Sequence, residues 1–385
     1  MNIVKKIYYI LGTVVSAVFT GGCSSMPMED GVIVNQFAGL SFKYNWKKGM
    51  NTNAADSMYC LMNRVQYSHH YFVKTDNNGV VKCDNTPESA EDISDASLFE
   101  SRFYVKPGEY YVCAIRKPYE GVVMDSLWNF VESTNVSFND IVLRFEEVKK
   151  EDLPELKNKD GSVIKWISNQ GDEYPYFRNI SPMEFDLKKN FTINSNSTVD
   201  VDFNPGFITQ KVIIPFTVHL KNGVEIENVL MEISGVVKER YLSKDVLIAD
   251  NEGKNTGCVI VKPKLVSSTP DGEELYYEAE VNSFGLMPNK LINSSIGPGL
   301  MHLVIYGKVG NKVKPLNTTK NISRFLEESG SVEYNEMDNV YRVLNHELKL
   351  KTGFEFEITA ERILSDTEDG IEEWEDDGND IDGEA

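Results

Sequence analysis

Val212-Ile213-Ile214-Pro215-Phe216-Thr217-Val218-His219-Leu220 decides the fold class. Val212, Ile214, Phe216, Val218 and Leu220 fall on one face at a period of two, the repeat of a β-strand with one buried face. Lys221-Asn222-Gly223 then turns the chain, because Asn and Gly tolerate positive φ. Residues 229–237 form a second apolar run, in which Gly235 marks a bulge or a close packing point. Further strands are expected at 258–261, 275–281 and 300–306. In the last, Met301, Leu303 and Ile305 alternate with Leu300, His302, Val304 and Tyr306, so it reads as buried on both faces. Residues 321–326 read as one short helix. Residues 344–350 and 354–358 close the domain, with Phe354, Phe356 and Ile358 on one side and Glu355, Glu357 and Thr359 on the other.

The same period runs upstream. Phe42, Tyr44 and Trp46 alternate with polar residues, and 59–65 and 71–74 look like further strands. Asp76-Asn77-Asn78-Gly79 reads as a hairpin turn. Residues 103–115 read as a hairpin about Pro107-Gly108, since Pro presets φ at one turn position and Gly accepts positive φ at the next. Residues 117–175 are less regular, and 149–154 read as an exposed connection. Residues 191–193 and 199–203 alternate again before Asn204-Pro205-Gly206 breaks the chain. Strands recur every 10–20 residues with turns between them, and no βαβ alternation is visible. The expected fold class is all-β, two antiparallel β-sandwich domains in tandem. The expected boundaries are 32–205 and 206–364, preceded by a tether at 23–31 and followed by an acidic tail at 365–385.

The first residues carry a separate message. Lys5 and Lys6 precede an apolar run from Ile7 to Thr20, and Thr20-Gly21-Gly22-Cys23 leads small residues into a cysteine. That is the layout of a bacterial lipoprotein signal at 1–22, with acylation expected at Cys23. Thr20 departs from the usual larger aliphatic residue. The run is short for a spanning helix, which needs about 20 residues. The alternatives are an ordinary secretory signal or an N-terminal anchor helix. Two acids in the tether, Glu29 and Asp30, resemble a surface-export signal.

Composition excludes some partners. The formal charge of −20 becomes −22 once Lys5 and Lys6 leave with residues 1–22. Such a surface repels nucleic acid and anionic lipid, so attachment to the outer membrane is expected through acyl chains on Cys23. Cys60, Cys83, Cys113 and Cys258 show no CxxC spacing, and a Cys60–Cys113 bridge or buried thiols remain open. The chain holds five histidines and no HExxH, GxSxG, Walker loop or GxGxxG. His219, His302 and His346 read as strand residues, and His69-His70 as an exposed turn. The expected catalytic, metal and cofactor sets are empty. Trp128 and Trp166 are the candidates for a sugar platform. The tail carries eleven acids and no base; Glu373 to Glu384 mimics a calcium loop loosely, and a solvated tail is the plainer reading.

Several segments in this order carry a resemblance. They are Cys23, Tyr44-Asn45-Trp46, Ser57-Met58-Tyr59, Val105-Lys106-Pro107-Gly108-Glu109-Tyr110, Met231-Glu232-Ile233-Ser234-Gly235, Phe354-Glu355-Phe356-Glu357-Ile358, Ile363-Leu364 and Gly370-Ile371-Glu372-Glu373-Trp374-Glu375. Together they resemble the Bacteroidales fimbrillin-superfamily lipoproteins, near full length. Many relatives carry a glycine run before the Trp where this chain has Gly370 alone. The resemblance implies two transthyretin-like domains and a non-enzymatic fimbrial anchor or assembly subunit that binds a fimbrillin by strand addition. In polymer-forming relatives an arginine-directed protease removes a leading strand. Between Cys23 and Ser101 the one arginine is Arg64, within a strand-like run, so retention of the lipid is expected. The competing expectations are a carbohydrate-binding lipoprotein of a glycan-uptake system and a hydrolase without a visible motif.

Overall fold

A computed structural model describes residues 38–44, 58–64, 69–75, 81–83, 103–105, 108–116, 121–125, 141–153, 174–194, 197–242, 244, 246–249, 255–290, 294 and 296–365. The signal, the tether, the acidic tail beyond Ser365, the Asp76–Gly79 turn, and Trp46, Trp128, Trp166 and Trp374 lie outside them. The chain forms two compact units: Met1–Lys117, Ser126–Asp140 and Glu184–Gly206 make the first, and Pro118–Asp125, Ile141–Met183 and Phe207–Ala385 the second. The division therefore needs several crossings of the chain, and part of the irregular stretch before residue 184 belongs to the second unit.

The protein is all-β. In the first unit the strands are β1 (Ala38–Tyr44), β2 (Met58–Arg64), β3 (His69–Thr75), β4 (Val81–Cys83), β5 (Phe103–Val105) and β6 (Gly108–Arg116). The chain then passes through β7 (Val122–Asp125), β8 (Val142–Phe145) and β9 (Tyr176–Phe177) of the second unit. It returns to the first for β10 (Glu184–Ile193) and β11 (Thr198–Phe203). One sheet of the first unit runs β11-β1-β5, with β1 parallel to β11; another contains β10-β6-β2-β3-β4 in antiparallel order. Tyr110, Val112, Cys113, Ala114 and Ile115 of β6 are all buried, as a central strand between two neighbours requires.

This arrangement corrects the hairpin expected over 103–115. Phe103 and Val105 pair with β1, whereas β6 pairs with β2 and β10. A Pro-Gly pair in the sequence does not name the pairing partners of the strands on either side of it. Here β6 has two longer neighbours to bond with, and the three residues of β5 go to another sheet. The register also sets Cys60 across from Ala114 and Leu61 across from Cys113, so it does not bring Cys60 opposite Cys113.

After β12 (Gly206–Phe207), the second unit continues through β13 (Gln210–Leu220), β14 (Glu225–Val237), β15 (Glu239–Tyr241), β16 (Thr256–Val261), β17 (Lys264–Ser268), β18 (Glu274–Ser283), β19 (Leu300–Val309) and β20 (Lys312–Asn321). Helix α1 (Ser323–Glu328), the hairpin β21 (Val332–Asn335) and β22 (Val340–Val343), β23 (Glu347–Lys349), β24 (Phe354–Ile358) and helix α2 (Ala360–Leu364) complete it. One five-stranded sheet has β17-β18-β13, with β23 and β24 both parallel to β13. The other runs β20-β19-β14-β16-β9, antiparallel except for β16 with β9. A three-stranded sheet, β15-β8-β7, lies beside them. On β13 the burial alternates as the sequence expects: Val212, Ile214 and Val218 have no exposure and Phe216 2%. Phe216 stacks on Tyr277 at 5.4 Å and meets Phe356 edge-on at 6.0 Å, which ties three strands together through aromatic area. The first six residues of β19 are all buried, so the reading of a strand covered on both faces holds.

Gly235 is both things its position promised. The β14–β16 register shifts between Ser234 and Val236, which is the bulge. Its φ is +92°, and a Cβ there would lie 2.6 Å from the Met287 carbonyl oxygen and 2.9 Å from the Gly299 nitrogen. Hydrogen bonds close the gap: the Met287 N–H donates to the Gly235 carbonyl at 2.9 Å, and the Gly299 N–H to the Ser234 carbonyl at 3.2 Å. The Ser234 hydroxyl donates to the Gly297 carbonyl at 2.7 Å and accepts from the Leu300 N–H at 3.0 Å. The Gly299 carbonyl accepts from the Ile322 N–H at 2.9 Å, so the start of α1 is fastened to the same point.

Gly235→Ala is expected to destabilise the protein by about 3 kcal/mol or more, from φ strain plus backbone overlap. A fall in thermal midpoint of several degrees checks it; an unchanged midpoint would show that the bulge relaxes without cost.

Candidate assembly surface

Among the described residues no group of three or more His, Cys, Asp and Glu is placed to hold a metal ion, and no helix is long and apolar enough to cross a membrane. The histidines take separate structural posts. His69 and His70 open β3, opposite Arg64 and Asn63, and so stand in a strand where an exposed turn was expected. His219 on β13 sits between carboxylates of neighbouring strands, with Nδ1 3.5 Å from Glu274 and Nε2 3.3 Å from Glu355. His346 lies just before β23, where its Nδ1 donates to the Thr209 carbonyl at 3.0 Å.

The buried polar groups form a row across one sheet. His302 stands opposite Glu232 on β14 and opposite Thr319 on β20. Its Nδ1 is 2.8 Å from the Thr319 hydroxyl, and the Tyr176 hydroxyl donates to the Glu232 carboxylate at 2.9 Å. Glu232 is 1% and His302 2% exposed, so each needs these partners to offset its lost hydration. Leu153, Tyr176, Leu230, Cys258 and Ile260 pack on this face as one cluster. The arrangement explains why charged and polar residues appear inside otherwise apolar strands: they bond across the sheet.

Cys23, the expected lipid-attachment residue, and Trp128 and Trp166, the expected sugar platform, lie outside the described residues. Arg64 is the last residue of β2, paired with His69 on one side and Tyr110 on the other. Backbone held in two ladders is poorly presented to a protease.

What remains is the sheet edge. All five residues of β17 are exposed, and adjacent Leu265 and Val266 are 46% and 50% exposed. β17 bonds to β18 on one side and is the last strand of its sheet among the described residues. Its register with β18 shifts between Leu265 and Ser267, a bulge that re-aims the side chains there. The turn into β18 is well set. The Gly272 N–H donates to the Thr269 carbonyl at 2.9 Å, and Gly272 has φ +73°. The Asp271 carboxylate accepts from the Thr269 hydroxyl at 2.6 Å and the Glu273 N–H at 3.1 Å. These bonds hold the Asp271 carboxyl below its ordinary value, the Thr269 hydroxyl first. Its contribution is therefore present at neutral pH and is lost as pH falls through that lowered value. The strand reading missed β17 because Lys264-Leu265-Val266-Ser267-Ser268 does not alternate. The signal available was Thr269-Pro270-Asp271-Gly272, a turn with a strand already assigned after it.

No family model matches the chain, and no curated protein matches it. Solved structures do. A candidate adhesin from Bacteroides ovatus is 11% identical with a TM-score of 0.45, over 87% of this chain and 96% of that one. A candidate polysaccharide-binding protein from Bacteroides thetaiotaomicron is 12% identical with a TM-score of 0.41, over 84% and 90%. The fimbrial anchor protein Mfa2 from Porphyromonas gingivalis is 11% identical with a TM-score of 0.38, over 80% and 95%. Likeness at that level carries nothing over to individual residues.

Two variants separate the packed row from the open edge. Tyr176→Phe should destabilise by about 1–2 kcal/mol, because it takes a donor from a buried carboxylate. Leu265→Asp together with Val266→Asp should stay within about 0.5 kcal/mol of the parent, as exposed changes do. Denaturation curves of both read the contrast; a large loss in the second would mean that the β17 edge is covered.

Proposed function

We propose that this chain is a non-enzymatic lipoprotein of the outer-membrane surface, held by acyl chains on Cys23, which anchors or assembles a fimbria by accepting an extended strand from a fimbrillin-type subunit. The observation that carries the reading is the β17 edge, where a sheet ends on two adjacent exposed apolar side chains, Leu265 and Val266. Strand addition fits such an edge. The incoming backbone satisfies a row of N–H and C=O groups, and its alternate side chains cover the apolar pair. The sequence resemblance to fimbrillin-superfamily lipoproteins supports the same role independently of that geometry. The net charge of −20 favours acyl attachment over electrostatic adhesion to anionic lipid.

The test is isolation of the intact protein from its native cells in mild detergent, read by mass spectrometry and negative-stain microscopy. Co-isolated fimbrillin-type subunits are expected, with filaments rooted at the tagged protein, lost in a Cys23→Ala strain and depleted when Leu265 and Val266 are both Asp. A protein recovered alone, or with an outer-membrane glycan transporter, overturns the reading and favours glycan capture.

A further inference from the structure

The opposite sheet of the second unit ends on a strand of another character. β20 pairs with β19 over ten consecutive residues, Leu300↔Asn321 through Val309↔Lys312, with no shift of register. It is the last strand of its sheet, so among the described residues no strand covers its other edge. A regular edge of that length is a template on which a second chain can pair. Its ladder carries no shift of register along its length.

One residue interrupts the template. Pro315 stands opposite Tyr306. A proline has no N–H, so this cannot be a pair that exchanges two hydrogen bonds. It belongs to the alternate class, in which the backbone groups of β20 turn away from β19 toward the edge. By the alternation, Val313 and Asn317 turn the same way, and Lys314 and Leu316 bond inward. A strand arriving at this edge finds donors at Val313 and Asn317. Between them it finds a pyrrolidine ring where the ladder requires an N–H.

The neighbouring lysine adds a second obstacle. Lys314 is 8% exposed, and its ammonium donates to the Arg362 carbonyl at 3.0 Å and the Ser365 hydroxyl at 2.8 Å. Lys312 donates to the Leu364 carbonyl at 2.9 Å. Both cap the end of α2, which is seated by Ile363 against Gly307; a Cβ on Gly307 would lie 2.6 Å from the Ile363 Cδ1. A charge turned inward on an edge strand is tolerated while the strand stays an edge, and is costly to cover further.

We propose that Pro315, with Lys314 beside it, closes the β20 edge against pairing with a second copy of this chain. The inference does not depend on the partner of β17: it concerns which edge is barred and holds whether that partner is a fimbrillin or something else.

The experiment uses the full chain carrying Cys23→Ser, so that acylation cannot drive association. Sedimentation should find the parent as one copy at every concentration. Pro315→Val should restore a donor and give a concentration-dependent species of about twice the mass or larger. Hydrogen exchange should find the amide of Val313, a residue 45% exposed, unprotected in the parent and protected in the associated variant. A folded variant carrying both Pro315→Val and Lys314→Val that remains one copy would overturn the proposal. So would a protected Val313 amide in the parent, a reading that stands even if the variant does not fold.

Discussion

The second unit depends on one close approach, that of Gly235 to the Met287 carbonyl and the Gly299 amide, in a space with no room for a methyl group. Because β14 lies between β16 and β19, its backbone groups are mostly consumed by its two neighbours. A bulge at Gly235 frees a few of them, and these bind the returning loop and, through Gly299, the start of α1. Side chains supply the rest: Ser234 bonds the loop on one side, and the Ser323 hydroxyl accepts from the Asn289 N–H at 2.7 Å on the other. Helix α1 has no side-chain cap of its own at Ile322, so this fastening sets where it begins.

The same economy of backbone bonding distinguishes the two ends of the unit. Central strands can carry Glu232 and His302 because cross-sheet partners are within reach and fixed by the register. Edge strands have one ladder to satisfy and one to protect. β17 carries exposed Leu and Val beside a bulge, and β20 carries a proline and inward lysines. Those differences are both chemical and geometric, since β17 is five residues long with a bulge and β20 ten residues long without one.

Legibility in the sequence followed apolar content. Strands β13, β18 and β24 were plain because large apolar residues recur in them at a period of two, and β14 and β19 because each carries a continuous apolar run. β20 was not among the expected strands: in Lys312-Val313-Lys314-Pro315-Leu316-Asn317-Thr318-Thr319-Lys320-Asn321 the large apolar residues Val313 and Leu316 do not alternate. Its lysines work as caps for a helix some fifty positions later, and its proline sits at an edge where the missing N–H costs β19 nothing. Strands β8, β9 and β15 were hidden for another reason. They are two to four residues long, too short for a period to show.

By itself the sequence determined that the chain is built of strands, where most of its longer strands lie, that Gly235 is a special backbone position, and that residues 1–23 have the layout of a lipoprotein signal. These follow from local rules: side-chain alternation, turn chemistry and the tolerance of glycine for positive φ. Tertiary structure alone decided which strands pair. It sent β5 and β6 to different sheets despite the Pro-Gly between them, made β23 and β24 parallel neighbours of β13, and left β17 and β20 as edges. Pairing joins residues far apart in the chain, such as His219 with Glu357, and is chosen by which apolar faces can be covered together. No local pattern encodes that choice, since a strand's own residues specify its faces and leave its neighbours open.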